Sequence, residues 1–154
     1  GLFGAPGEGS LPQHVDTKAP AKQPSGDRAA PSRPAGCEPK PCRSNEVYVA
    51  RSGKKPYSNG CGTGGFVIKD TPLTPCCDKH DLCYSRCDRS RDQCDEEFRV
   101  CMKQLCKQTY KSNHEARKQC QGQADMFHMF TTSMGCGAYL QSQKEFCHCV
   151  KSDL

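Results

Sequence analysis

The chain contains no tryptophan, and Leu, Ile, Val and Phe together account for only 20 of its 154 residues. So sparse an aliphatic content excludes a large apolar interior and, taken alone, describes a chain that stays unfolded. The missing tryptophan also removes the side chain best suited to a boundary that is apolar on one side and wet on the other. Long hydrophobic runs are absent as well. The longest, Val47 to Ala50 and Phe66 to Ile68, fall far short of the roughly 18 residues a membrane-spanning helix needs. No Met, charged segment or apolar leader opens the chain at Gly1, so a mature form with its signal removed is expected.

Cysteine stands in for the missing apolar residues. Fourteen cysteines mark a disulfide scaffold, in which each bridge stabilises by about 2 to 4 kcal/mol, chiefly by restricting the unfolded chain. The even number permits full pairing and places the protein in an oxidising, extracellular compartment. The net charge of +5 favours anionic partners such as acidic lipid surfaces, while export argues against nucleic acid.

Residues 1–36 hold six Pro and six Gly and no apolar periodicity, which predicts a flexible tail. The disulfide domain is expected over residues 37–154, starting at Cys37 and Cys42. Within YSNGCGTGG, which begins at Tyr57, Gly60, Gly62, Gly64 and Gly65 crowd around Cys61. Glycine permits positive φ and close backbone approach, so a loop is expected that aims several backbone groups at one point.

Thr74 as N-cap and Pro75 in the first turn predict a helix to about Asp88. A second is expected from Asp92 to about Tyr110. At 100° per residue, Cys76, His80, Cys83 and Cys87 share one face of the first helix, and Cys77, Asp81 and Tyr84 lie on the adjoining flank. On the second helix Cys94, Phe98, Cys101 and Leu105 share a face, with Asp95 beside it. Antiparallel neighbours at equal height have index numbers of constant sum. Cys76 with Cys101 and Cys83 with Cys94 satisfy one such sum, which predicts two cross-links between the helices. In that register His80 and Asp95 are offset by about 3 Å along the axis, so they can meet. A histidine oriented by a carboxylate has a fixed tautomer and a free nitrogen, as a general base requires. If Cys61 pairs with Cys77, the glycine segment is pinned against the flank carrying Asp81. Carbonyls and a carboxylate then form an oxygen-rich site suited to calcium. Beyond the helix pair, irregular segments are expected, with a Met- and Phe-rich stretch at Met126 to Met134 and a C-terminal loop region bounded by Cys136, Cys147 and Cys149.

These residues resemble the secreted phospholipase A2 family. CCDKHDLCY, Cys76 to Tyr84, is similar to its active-site helix; CDEEFRVC, Cys94 to Cys101, resembles its second helical segment; YSNGCGTGG resembles its calcium loop. The later cysteine layout, ending in CHC at Cys147 to Cys149, looks most like the group XII branch. The resemblance implies a mainly α, disulfide-rich fold of two antiparallel linked helices with a calcium loop. It implies calcium-dependent hydrolysis of the sn-2 ester of glycerophospholipids, with His80 as general base and Asp95 as its companion. Asp81 and the carbonyls of Gly60, Gly62 and Gly64 would bind Ca2+, the Gly62 amide would face the oxyanion, and Tyr84 would support the aspartate. Asn59 and Gly60 depart from the commoner family pattern, in which a cysteine and an aromatic stand. Arg51, Lys54 and Lys55, just before the loop, are expected to attract an anionic phospholipid surface. Met126, Phe127, Met129 and Phe130 read as a core stripe or an acyl-chain wall. The rival expectation is a non-catalytic receptor ligand or toxin on the same scaffold.

Overall fold

The computed structural model describes residues 37–63 and 66–153. The expected tail, 1–36, and the candidate ligand Gly64 lie outside the described residues. Strand β1 (Glu46–Ala50) pairs antiparallel with β4 (Cys147–Lys151) near the end of the chain. β2 (Cys61–Thr63) and β3 (Phe66–Ile68) form a short hairpin. Four helices complete the fold: α1 (Thr74–Tyr84), α2 (Arg91–Thr109), α3 (His114–Met134) and α4 (Cys136–Phe146). Helix α2 packs between α1 and α3, and α4 touches both of those.

The mainly α, disulfide-rich architecture is as expected, with several local differences. The N-cap of α1 is Leu73, and Thr74 is the first helical residue. Its hydroxyl bonds the Thr71 carbonyl instead of a helix amide. Helix α1 also stops at Tyr84, four residues early. Ser85 and Arg86 bond back three residues, to Leu82 and Cys83, in a tightened last turn. The buried Gln143 of α4 donates Nε2 to the Tyr84 and Arg86 carbonyls, both at 2.8 Å. That side chain satisfies carbonyls which a longer helix would have bonded internally. Helix α2 starts one residue early because Ser90 and Gln93 form a reciprocal capping box.

The larger correction concerns residues beyond 110, where two helices replace the expected irregular segments and C-terminal loop. The buried face of α3 is Cys120, Ala124, Phe127 and Thr131. That spacing is helical, but one member is a cysteine and another a threonine, so apolar periodicity alone understates it. Phe127 joins the core, whereas Met126 and Met129 are exposed; the Met/Phe stripe therefore divides between two faces.

Half of the main core cluster is cystine. Cys61, Cys76, Cys77, Cys106 and Cys120 pack with Leu73, Phe98, Met102, Ala124 and Phe127. Cross-links thus supply interior volume as well as chain restraint, which is how so few aliphatic residues suffice. All fourteen cysteines are bonded, with none free. Cys76–Cys101 and Cys83–Cys94 join α1 to α2 as the constant-sum register requires. Cys106–Cys120 links α2 to α3, Cys37–Cys136 and Cys42–Cys149 tie the start of the described chain to its end, and Cys87–Cys147 ties the turn after α1 to β4. Among the described residues no helix is long and apolar enough to cross a membrane.

Candidate active site

Two disulfides clamp α1 antiparallel to α2, and between them the facing side chains are His80 and Asp95. His80 is 2% exposed and Asp95 4%. The His80 Nε2 lies 2.8 Å from Asp95 Oδ1. A carboxylate only accepts, so Nε2 carries the proton and Nδ1 holds the lone pair. Nδ1 is buried and has no hydrogen-bond partner, a rare state for a polar atom and one that costs stability whatever its use. The ring is held by aromatic neighbours, with Tyr84 at 4.2 Å and Phe98 at 4.4 Å between centroids.

Tyr84 lies one turn beyond His80 on α1 and donates its hydroxyl to the same oxygen, Asp95 Oδ1, at 2.7 Å. Burial first, then the Asp95 carboxylate, push the Tyr84 hydroxyl well above the usual phenol range, so it stays a donor at any physiological pH. Its ring meets Tyr139 of α4 edge-on at 5.1 Å. Tyr84, which the resemblance expects beside the aspartate, bonds it in the structure and also packs as an aromatic.

The second cluster lies on the adjoining flank of α1. Cys61 and Cys77 are bonded, and the glycine segment is held against Asp78 and Asp81. Its form differs from the expected loop, because residues 61–63 and 66–68 make the β2–β3 hairpin and the irregular part is 57–60. The Asn59 amide donates to Asp81 Oδ2 at 3.0 Å, and the Gly60 amide donates to Asp78 Oδ1 at 2.9 Å. These carboxylates accept from backbone N–H groups, since a carboxylate attracts donors. Gly60 at φ 78° and Gly62 at φ 131° hold backbone conformations that side-chain-bearing residues rarely adopt. Asp81 is 6% exposed, and burial pushes its carboxyl above the usual range. A buried carboxylate beside a conformationally permissive, carbonyl-bearing segment fits a hard cation taking oxygen ligands.

Several residues at the site escaped the sequence reading. Asp78, in the first half of α1, accepts from the Gly60 amide of the loop. His128 of α3 lies within electrostatic reach of Asp95, Arg99, Glu96 and His80, and burial pulls it below its ordinary value. Arg91 opens α2 with its Nε 3.5 Å from Asp95 Oδ2. Gly135, between α3 and α4, is where an added Cβ would lie 2.8 Å from the Tyr84 hydroxyl. The spacing of Ser90 and Gln93 fits a capping box that places Arg91 in the first turn, and its contact with Asp95 follows the i,i+4 helix spacing. For His128 and Gly135 no local signal exists.

Comparison with known proteins agrees with the motif resemblance. A family model described as "Group XII secretory phospholipase A2 precursor" matches residues 32–154. Group XIIA secretory phospholipase A2 of Mus musculus is 33% identical over 123 residues, covering 73% of this chain and 64% of the relative. The Homo sapiens protein of that name is 32% identical, covering 73% and 65%. The Mus musculus Group XIIB secretory phospholipase A2-like protein is 29% identical over 126 residues, covering 73% and 64%. The chain therefore spans a little under two thirds of the length of the curated relatives it matches. No solved structure matches significantly. The extensive disulfides and the secretory description agree on an extracellular protein. By motif, fold and match over most of its length, the chain belongs to the group XII secreted phospholipase A2 family.

Proposed function

We propose that this protein is a calcium-dependent phospholipase A2 that hydrolyses the sn-2 ester of glycerophospholipids to a lysophospholipid and a fatty acid. The observation that carries the reading is the His80–Asp95 pair, bonded at 2.8 Å through Nε2 with Nδ1 left bare. In this mechanism Nδ1 takes a proton from the water that attacks the ester carbonyl, and Asp95 stabilises the imidazolium that forms. The proton then passes to the leaving alkoxide of the glycerol. Tyr84 holds Oδ1 in line by its own hydrogen bond.

Asp81 and the carbonyls of Gly60, Gly62 and Gly64 would hold calcium, with the Asn59 amide giving up Asp81 Oδ2. Bound there, the ion would supply charge to fix the substrate phosphate and polarise the ester carbonyl. The Gly62 amide would donate to the developing oxyanion. Substrate would be met at a phospholipid surface of anionic preference. Lys54 and Lys55 are exposed before the loop, and Tyr57 and Val67, at 58% and 46% exposure, flank it with apolar area. Arg51 is half-buried and donates Nε to the Lys144 carbonyl at 3.2 Å, so the two lysines carry more of that attraction.

A receptor ligand or toxin on this scaffold would give no reason for a buried imidazole to keep one nitrogen bare. The deciding experiment is hydrolysis of mixed-chain phospholipid vesicles with and without calcium, identifying the acyl position released. Release of the sn-2 chain that stops with chelator, and in His80→Gln, is expected. Release that persists in chelator would remove the metal, and hydrolysis that survives His80→Gln would remove the assigned base.

A further inference from the structure

Asp95 presents two oxygens, and the roles described so far occupy one of them. Oδ1 accepts from both His80 and Tyr84. Oδ2 faces Arg91, whose side chain is only 10% exposed. At 3.5 Å the Arg91 Nε makes an ion pair with Oδ2, and it makes no hydrogen bond. The rest of the guanidinium is anchored elsewhere. Nη2 donates to the carbonyls of Thr131 and Thr132 near the end of α3, and Nη1 points to Cys37 Sγ at 3.0 Å. Cys37 is bonded to Cys136, the first residue of α4. One planar group therefore joins the dyad carboxylate to the α3–α4 junction.

A carboxylate held by one oxygen can swing about its Cβ–Cγ bond; held by both, its plane is fixed. We propose that Arg91 is a positioning residue, holding Asp95 by its second oxygen so that the first stays aligned on His80 Nε2 and keeps the His80 proton off Nδ1. A planar charge anchored by its Nη2 on the carbonyls, with Nε beside the carboxylate, suits this task, whereas the single ammonium of lysine cannot reach all of them. The inference deepens the hydrolase reading and rests on it for turnover, but the orientation of His80 can be observed without substrate.

The same contacts would also staple α3 to α2, so the test needs a readout that a staple does not move. Calcium-free protein labelled with 15N-histidine, at one fixed pH, reports which His80 nitrogen bears the proton. Wild type is expected to show Nε2–H alone and Arg91→Gln a mixture of both tautomers. On vesicles Arg91→Gln should lower kcat about tenfold, equivalent to about 1.4 kcal/mol, with KM within about twofold. In an Asp95→Asn background it should add nothing to either readout, since groups acting through one another are non-additive. An Arg91→Gln protein with lower Tm but wild-type tautomer and kcat would overturn the proposal, as would an equal effect in both backgrounds. If Arg91→Gln fails to fold, Arg91→Lys decides: a loss of about threefold in kcat that vanishes with Asp95→Asn is expected, and no loss, or the same loss in both backgrounds, refutes. Should wild type hydrolyse no phospholipid at all, the hydrolase reading fails while the tautomer measurement still judges Arg91.

Discussion

Gly135→Ala probes whether the α3–α4 junction braces the dyad. Gly135 has φ −82°, a conformation alanine adopts without strain. At such a position Gly→Ala ordinarily stabilises by about 0.4 to 1 kcal/mol, because it restricts the unfolded chain. Here the new methyl would fall 2.5 Å from the Thr131 carbonyl oxygen and 2.8 Å from the Tyr84 hydroxyl. Ordinary contact starts near 3.4 Å, so both oxygens must retreat by more than half an ångström. Neither does so freely: Thr131 O belongs to the backbone and accepts from Arg91, and Tyr84 is buried between His80 and Tyr139. Overpacking of this kind costs about 1 to 3 kcal/mol, enough to reverse the sign of the usual effect. For a domain of this size that lowers Tm by roughly 3 to 10 °C, measured by calorimetry with disulfides intact. The 2.7 Å bond from Tyr84 to Asp95 should lengthen too, so vesicle hydrolysis should fall in kcat more than in KM. An alanine variant at least as stable as wild type, with undiminished kcat, would refute the junction's role.

Asp81→Asn should abolish calcium binding by titration calorimetry yet raise the Tm of the calcium-free protein at pH 7. Burial lifts the Asp81 carboxyl, so the fold favours the neutral form, and the advantage of Asn should shrink as acid protonates wild type; a lower Tm at pH 7 would contradict this. His128 is shifted the other way, downward by burial. On acidification the unfolded chain takes up its proton first, near pH 6.5, so stability should fall from about pH 7 toward pH 5 until the folded histidine also protonates. His128→Gln should flatten that slope in urea titrations, and an unchanged slope would rule His128 out as its source. Removing the Cys61–Cys77 bridge by a double Ala substitution should cost about 3 kcal/mol for so short a closed segment and weaken calcium binding. Retained calcium affinity would mean that the bridge does not hold the loop to Asp81.

The two-helix frame was legible because its information is local and periodic. Helical spacing put Cys76, His80 and Cys83 on one face, and an antiparallel register brought Cys101, Asp95 and Cys94 opposite them. Once both bridges close, His80 has little freedom to avoid Asp95. Helix α3 was harder to read, since its inward face uses Cys120 and Thr131, which gain apolar character or burial only after folding. The hairpin at Cys61 to Ile68 and the amide contacts to Asp78 and Asp81 were likewise hidden, because glycine leaves the backbone several options and composition does not choose among them.

Index arithmetic on a helix therefore places the imidazole, its carboxylate and the flanking acid, and cysteine pairing narrows how those helices can sit. The bracing around them comes from segments far apart in the chain: Thr131, Thr132 and Cys37 gather on Arg91, Gly135 lies under Tyr84, and Gln143 closes the end of α1. Such contacts depend on how whole helices pack in three dimensions, and no periodicity along a linear chain encodes which backbone carbonyl will lie beside which guanidinium.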